Sequence, residues 1–291
     1  MASPVAATDR ATWLLQQRVR TLFRHLPHAL GGKAEDVHQM RIAGRRLRLA
    51  LPMLGRKPDG RRLKRARRGL AELVRAAGGS RDLDVGVALL EKQGGQDDAA
   101  VAALLRRLRA ARTRGRTRMA ESLLDIDISG LRRDLRRILA RGGEGLFVVF
   151  ARLRDQRDRE AAALIEGLAA LAERYEPDSL HRLRIRTRRL RYLAELSAAL
   201  KDQPSEAPAL FKQLQERLGR IQDTHVLAEW LARQYETNTR RGRAELAQTA
   251  RRLENELRED SRRAHGELLA HGPGTLVQRA LEAMGLARTA A

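Results

Sequence analysis

Hydrophobic residues recur along the chain at intervals of three and four positions, which is the period of an amphipathic α-helix. No segment shows the sustained two-residue alternation or the β-branched enrichment that is typical of strands. The strand-like run at 147–150 has helical patterns on both sides, and we interpret it as a buried turn of a helix. The pattern therefore predicts an all-α fold. Two segments show the helical period most clearly, with apolar faces made of Met40, Leu47, Leu51 and Leu54 and of Leu183, Leu190 and Ala194.

Turn-forming residues divide the first half of the chain into six predicted helices. Pro27 and the two glycines that follow it at 31–32 end the first helix, and a Gly-rich break at 78–82 separates the third from the fourth. The predicted helices span about 8–26, 35–54, 61–77, 83–92, 97–124 and 131–141. Candidate N-terminal caps are Thr8 or Asp9 for the first helix and Ser80 or Asp82 for the fourth.

The segment 142–145 contains three glycines and is the clearest boundary in the sequence. After it the order of helices restarts, with Pro177 at the entry to the second predicted helix and Pro204 in the turn that follows that helix. The predicted helices of this second half span about 146–174, 180–202, 207–219, 224–235, 240–269 and 275–286. The sequence thus predicts two helical halves, 8–141 and 146–286.

A basic stretch at 37–48 is repeated at 180–191 with a constant offset of 143. In a helix, positions i, i+3, i+7 and i+10 form a stripe about 80° wide, on a different face from the apolar residues. Both copies place a histidine and three arginines on such a stripe. The first stripe is His38, Arg41, Arg45 and Arg48, and the second stripe is His181, Arg184, Arg188 and Arg191.

A second repeated block follows each stripe. Gly78, Arg81, Asp82 and Val85 in the first half correspond, at an offset of 141, to Gly219, Gln222, Asp223 and Val226 in the second. Two blocks that repeat at nearly the same offset indicate an internal duplication rather than a chance motif. We therefore expect one domain over 8–286, built from two helical-bundle halves.

Charge indicates the class of partner. The net charge is +22, far more than solubility requires, and self-repulsion of this size favours a polyanionic ligand. The basic residues are mostly arginine, whose forked guanidinium suits bidentate phosphate binding, although a GC-rich genome also raises arginine content. Aromatic residues make up 3% of the chain, too few for the stacking platforms that hold single-stranded nucleic acid or specific RNA, whereas duplex DNA is less well excluded.

The remaining chemistry points to a binding protein in a reducing compartment. The chain has no cysteine, no apolar run of the roughly 18 residues that a membrane span needs, and no signal-peptide core, so we expect a cytoplasmic protein without a membrane partner. The remaining histidines lack the Asp or Glu spacing of a metal site, and no Walker-type phosphate loop occurs. The carboxylates Asp125 and Asp127 precede a predicted helix and are interpreted as caps rather than Mg²⁺ ligands. We expect no metal site, no cofactor and no catalytic residue.

The four blocks together resemble the CHAD family, the conserved histidine α-helical domain, and the resemblance covers nearly the whole chain. It implies two four-helix bundles related by a pseudo-two-fold axis, with basic residues around a central cavity or groove, and binding of inorganic polyphosphate and association with polyphosphate granules. Carried over residue by residue, it implicates His38, Arg41, Arg45, Arg48, His181, Arg184, Arg188 and Arg191. Arg188 stands where many members have lysine, and Gln222 departs from the arginine of the first half, so the halves need not bind equally.

Several other residues allow two interpretations. Lys64, Arg65 and Arg68 on the third predicted helix lie either in the groove or in solvent, and we include them as candidate ligands for polyphosphate. Each stripe histidine lies near a helix N-terminus, where the dipole disfavours imidazolium, so hydrogen bonding or packing competes with phosphate contact. Arg81, Asp82 and Asp223 are interpreted first as helix-start and inter-helix ion pairs.

Two functions follow from these observations. The first is non-enzymatic binding of inorganic polyphosphate, in which divalent cations accompany the polymer rather than a site on the protein. The alternative is a general nucleic-acid or nucleoid-binding helical protein.

Overall fold

A computed structural model describes residues 7–93, 98–171 and 174–285, apart from the side chains of 7–9, 80 and 81. The described residues form helices and no β-strand, which confirms the all-α prediction. None of the described helices is long and apolar enough to cross a membrane. In chain order they are α1 (Ala7–Leu30), α2 (Ala34–Leu54), α3 (Arg61–Ala76), α4 (Gly78–Gln93), α5 (Ala99–Leu124), α6 (Ile128–Leu139), α7 (Leu146–Ala169), α8 (Pro177–Lys201), α9 (Ala207–Arg240), α10 (Ala244–Ala270) and α11 (Pro273–Glu282).

The predicted ends of two helices are wrong. Pro27 lies inside α1, which continues to Leu30 and ends before Gly32, a residue in the left-handed conformation. Because Pro27 lies in the last turn, its missing N–H removes a single hydrogen bond from the helix. The first helix of the second half, predicted to reach about residue 174, ends at Ala169.

The Gly-rich break at 78–82 is also wrong. A single turn residue, Ala77, separates α3 from α4, so positions 80 and 82 lie inside α4 and cannot cap it. In the second half the two predicted helices are one 34-residue helix, α9. The second half has one glycine where the first has two, and Ile221, just after it, is fully buried, so packing holds α9 continuous.

Aspartate caps begin two helices, and the one at α6 was predicted. The carboxylate of Asp98 accepts hydrogen bonds from the backbone N–H groups of Ala100 (2.9 Å) and Val101 (3.0 Å) at the start of α5. The carboxylate of Asp127 accepts one from the backbone N–H of Gly130 (2.7 Å) at the start of α6, and this bond lowers the pKa of Asp127. Asp127 is therefore a cap, as its position indicated.

The run at 147–150 is helical, as predicted, but it is not a buried turn. Val149 is fully buried, whereas the side chain of Phe147 is 88% exposed. The helical period explains the difference, because two residues two positions apart lie on nearly opposite sides of a helix.

Two hydrophobic cores hold the helices together, and each draws residues from both sequence halves. The larger core contains residues of α1–α3, α6–α8 and α11, together with the first part of α9 and the end of α5. The smaller core is a four-helix arrangement of α4, α5, α10 and the second part of α9. The halves 8–141 and 146–286 are thus successive stretches of the chain. Neither has a core of its own, because both cores contain residues of both halves.

The segment that links the two halves is fixed to the first of them. The backbone N–H of Gly143 donates to the Thr12 hydroxyl (2.6 Å), and the N–H of Glu144 donates to the carbonyl of Leu54 at the end of α2 (2.8 Å). These bonds join the start of α1, the end of α2 and the entry to α7.

Replacement of Gly79 by alanine tests the continuity of α4. A Cβ at Gly79 would have no atom within 4 Å, and its φ is not positive. Since alanine is favoured over glycine inside a helix, we expect Gly79→Ala to raise the free energy of unfolding by about 0.5–1 kcal/mol. Urea denaturation measures this change.

A matched control is Gly142→Ala in the linking segment. Gly142 has a φ of +72°, a conformation that costs an L-residue roughly 1–2 kcal/mol, so this variant should be less stable than the parent protein. If Gly79→Ala destabilised the protein as Gly142→Ala does, position 79 would lie in a glycine-requiring turn and α4 would begin later.

Candidate functional site

Helices α2 and α8 carry the two basic stripes on faces that are not used by the core. The predicted apolar faces of both helices are buried. Gly44 on α2 allows α3 to approach closely, since a Cβ there would lie 2.8 Å from the Cγ2 of Val74. The hydrophobic contacts fix how each helix is turned, and this in turn sets the direction of its arginines.

An ion pair between α2 and α8 joins the two helices directly. The Nε of Arg46 donates to Glu195 Oε2 (2.8 Å), and its Nη2 donates to Oε1 (2.9 Å), which is a bidentate arrangement. The buried ring of Tyr192 lies beside this pair, with the guanidinium carbons of Arg46 and Arg191 at 5.5 and 5.7 Å from its centroid. The α2–α8 contact therefore has one carboxylate and one aromatic ring among several arginines.

The arginines of the two stripes converge at this contact. Burial, followed by the charges of nearby Arg45, Arg184 and Arg41, lowers the pKa of Arg188 to about 10, while Tyr192 opposes the shift. Burial also lowers the pKa of Arg45, and the charge of Arg184 adds to the effect. The two sequence repeats thus contribute to one concentration of positive charge, and Arg41 within it is 8% exposed.

The positive region extends beyond the stripes on both sides. Burial lowers the pKa of Arg48, and the charges of Arg67, Arg189 and Arg75 lower it further. On α1, burial and the charge of Arg46 lower the pKa of Arg18 to about 10. We call the whole set the arginine cluster; its members are Arg18, Arg41, Arg45, Arg46, Arg48, Arg67, Arg75, Arg184, Arg188 and Arg189.

Two buried donors of the cluster are relevant to anion binding. The Nε atoms of Arg18 and Arg184 are buried and have no hydrogen-bond partner among the described residues. A buried N–H without a partner is costly, and a charged one more so. An anion that enters the cluster could accept these bonds.

The second repeated block supports the second stripe. Gly219 on α9 lies against the guanidinium of Arg184, whose Nη2 would lie at an ordinary contact distance of 3.6 Å from a Cβ at that position. The same nitrogen lies 3.8 Å from Asp223 Oδ1. In the first half, Asp82 is close enough for its charge to raise the pKa of Arg45 against burial. The Asp223 contact agrees with the interpretation of Asp223 as an inter-helix ion pair. Asp82 forms no ion pair among the described residues, and the side chain of Arg81 lies outside them.

The histidines of the stripes lie at the edge of the cluster. The Nδ1 of the exposed His181 is 2.9 Å from Gln222 Oε1, so an Nδ1–H donates to the amide oxygen. His38, at the corresponding position of α2, is half-buried. The bond to Gln222 gives His181 the hydrogen-bonding role that was one of its two interpretations.

Some predicted site residues are engaged elsewhere. Arg191 donates to Glu195 Oε1 (3.0 Å) and to Gln215 Oε1 (3.3 Å). Arg65 forms a bidentate bond to the buried Asp134 on α6, at 2.5 and 2.7 Å, on the side of α3 away from α2. Lys64 and Arg68 are exposed on α3. All four residues keep their assignment as candidate ligands, but Arg65 and Arg191 already have carboxylate partners.

Five members of the cluster were absent from the sequence-based set. The signal for Arg75 was present, since it lies on the basic face of the third predicted helix. Arg46 and Arg189 each follow a stripe arginine directly, but single-helix geometry places them outside the stripe. Arg18 and Arg67 join the cluster through tertiary packing, for which the sequence has no local signal.

The chemistry of the cluster is that of an anion receptor. Guanidinium groups remain protonated at neutral pH even with a pKa of about 10, and they donate hydrogen bonds without acting as nucleophiles. Among the described residues no group of three or more His, Asp or Glu side chains is placed to hold a metal ion.

Comparison with known proteins identifies the fold. No curated protein sequence matches the chain. Among solved structures, the CHAD domain from the plant Ricinus communis is similar, with a TM-score of 0.64 and 20% sequence identity over 99% of this chain and 94% of that one. PptA from Streptomyces chartreusis is similar with a TM-score of 0.67 and 18% identity over 90% of this chain and 99% of that one.

The sequence model of the CHAD domain matches residues 14–232. This range includes both stripes and both copies of the second block. The chain therefore belongs to the CHAD domain family.

Proposed function

We propose that this protein binds inorganic polyphosphate through the arginine cluster and does so without catalysing a reaction on it. The observation that supports the proposal most strongly is the convergence of the two stripes, whose arginines lie close enough to lower one another's pKa. Such a concentration of like charge is stabilised by a ligand with closely spaced negative charges. Membership of the CHAD family, which is linked to polyphosphate binding, supports the same ligand.

The chemistry of the cluster suits a linear polyanion without bases. Linear polyphosphate has a charge at every repeat and no base, so it requires many guanidinium donors and little aromatic surface. The cluster offers guanidinium groups from α1, α2, α3 and α8, and Tyr192, its aromatic neighbour, is buried. Counterion release on binding makes the affinity depend steeply on salt.

An internal duplication explains how a single chain forms the cluster. The order of helices supports it: α1 and α2 correspond to α7 and α8, α3 and α4 to α9, α5 to α10, and α6 to α11. Corresponding helices also contact one another across the halves, as α2 does with α8 and α5 with α10. A pseudo-two-fold axis through the α2–α8 contact would place the two stripes on opposite walls of one basic groove.

The biological setting is part of the proposal. We propose a cytoplasmic protein that associates with polyphosphate granules and organises or targets them. Divalent cations in such granules would be bound by the polymer, whose oxygens suit hard cations. A non-enzymatic role fits the cluster, which presents guanidinium groups rather than a nucleophile or a general base.

Loss of one central arginine from each stripe should weaken polyphosphate binding. Hydrogen bonds to charged groups contribute about 1.5–3 kcal/mol each, so Arg41→Ala with Arg184→Ala should lower the affinity by roughly 100-fold or more. The slope of log affinity against log salt should decrease by about one per lost phosphate contact. Titration with polyphosphate of defined length at several salt concentrations measures both quantities.

The matched control removes the same charge elsewhere. Arg106 and Arg118 are exposed on α5, and their replacement by alanine also lowers the net charge by two. This control should lose far less affinity, and circular dichroism should show both double variants folded. Equal losses in the two variants would mean that overall charge, rather than the cluster, binds the polymer.

Competition with duplex DNA separates the proposed ligand from nucleic acid. The cluster lies where α1, α2, α3 and α8 meet and holds buried donors, which a thin polymer can reach more readily than a rigid duplex can. At equal phosphate concentration and matched salt, we expect polyphosphate to displace DNA from the protein at least ten times more effectively than the reverse. Fluorescence anisotropy of a labelled polymer measures the exchange, and efficient displacement by DNA would favour the nucleic-acid function instead.

A further inference from the structure

A second concentration of positive charge lies at the far end of the smaller core, where α5, α9 and α10 meet. It surrounds a pocket of about 250 Å³, which we call the distal pocket. Along α9, the rise from Asp223, which faces the arginine cluster, to Thr237 in this pocket is about 21 Å. The residues that line the pocket are Arg107, Ala111, Arg114, Trp230, Gln234, Thr237, Arg241 and Arg243.

The charged residues that line the distal pocket are all arginines. Burial lowers the pKa of Arg107, and the charges of Arg243 and Arg241 lower it further, so these three guanidinium groups lie close together. Arg114 is a fourth arginine on the same wall. None of the four forms an ion pair with a carboxylate among the residues that the structure describes.

A buried amide orients the central arginine of this pocket. The Nη1 of Arg107 donates to the Oδ1 of Asn238 (2.6 Å), and the Nδ2 of Asn238 donates to the backbone carbonyl of Gln234 (2.7 Å). Asn238 has 0% exposure, so its two bonds are fixed by the core. Arg107 is therefore held in one orientation before any ligand arrives, which lowers the entropy lost on binding.

The turn between α9 and α10 holds Arg241 and Arg243 close together at the pocket. The carbonyl of Asn238 accepts the N–H groups of Arg241 (3.2 Å) and Arg243 (2.9 Å), and Gly242 between them has a φ of +65°. Arg243 is the N-cap residue of the 27-residue helix α10, and no side chain caps this end. The positive end of the helix dipole thus lies beside the arginine side chains.

We propose that the distal pocket is a second anion site, which binds a phosphoryl oxyanion of about the size of pyrophosphate. Arg107, Arg241 and Arg243 donate to its oxygens, and the ring of Trp230 forms an apolar wall. The site is separate from the arginine cluster and does not depend on the ligand assigned to that cluster. An inorganic diphosphate and the diphosphate of a nucleotide share this chemistry, and the experiment below distinguishes them.

Ligand binding at the distal pocket can be measured by tryptophan fluorescence. The chain has two of them, and Trp13 is half-exposed on α1, outside the pocket. In a Trp13→Phe variant, Trp230 is the single reporter. Titration with pyrophosphate at constant ionic strength should give a saturable change in its fluorescence. The same change should persist when Arg41→Ala and Arg184→Ala are added, so failure of the polyphosphate proposal would not affect this result.

Variants of the pocket and its surroundings complete the test. In the Trp13→Phe background, Arg107→Ala and the turn variant Arg243→Ala should each weaken pyrophosphate binding by at least tenfold. Arg106→Ala, which removes the neighbouring exposed charge on α5, should leave it within twofold. Arg243 is exposed in a turn, so its replacement leaves the core intact if Arg107→Ala fails to fold.

Comparison of pyrophosphate, ADP and adenosine shows which part of a nucleotide the pocket binds. Pyrophosphate that binds more tightly than ADP would assign the pocket to an inorganic diphosphate, and ADP that binds more tightly would assign it to a nucleotide diphosphate. Adenosine should compete in neither case. The proposal is overturned if the fluorescence change does not saturate, if sodium chloride at the same ionic strength reproduces it, if both pocket variants bind as the parent does, or if adenosine displaces pyrophosphate.

Discussion

The contact between α2 and α8 brings arginine side chains of like charge close together. The rest of the fold must supply the interactions that offset their repulsion. Arg45 on α2 lies near Arg184 and Arg188 on α8, with Arg41 close by. The ion pair that joins the two helices directly is the bidentate bond of Arg46 to Glu195. Since a partly exposed ion pair contributes little by itself, the larger core must hold the two helices in place.

The helical architecture is readable from the sequence because it depends on local signals. The apolar period located ten of the helices to within a few residues at most ends, and the cap at the start of α6 follows from Asp127. The break between α3 and α4 was overestimated because Gly78 and Gly79 are compatible with a helix as well as with a turn. The continuity of α9 depends on burial of Ile221, a tertiary effect that propensity does not contain.

The positions of the site residues on each helix could be predicted from the sequence, but their contacts with other helices could not. Spacing places the stripe arginines on a common face, and the structure brings the stripes together. Spacing places Arg191 and Glu195 one helical turn apart on the same face. It cannot show that Arg65 meets Asp134 on α6, or that Glu195 also accepts from Arg46 on α2, because these partners are far apart in the sequence. For the same reason Arg18, on α1, could not be assigned to the cluster from its own surroundings.

The lowered pKa of Arg188 links binding to stability in a definite direction. Its folded-state pKa of about 10 lies below the unfolded value, so between these two values the unfolded chain holds more protons and stability rises with pH. Below pH 10 the guanidinium is charged in both states, and the folded protein bears the full cost of burying it beside other arginines. A bound polyanion removes this cost in the folded state alone. If the proposed polyanion binds at the α2–α8 contact, it should therefore also stabilise the folded state, in addition to the larger core that holds the two helices in place.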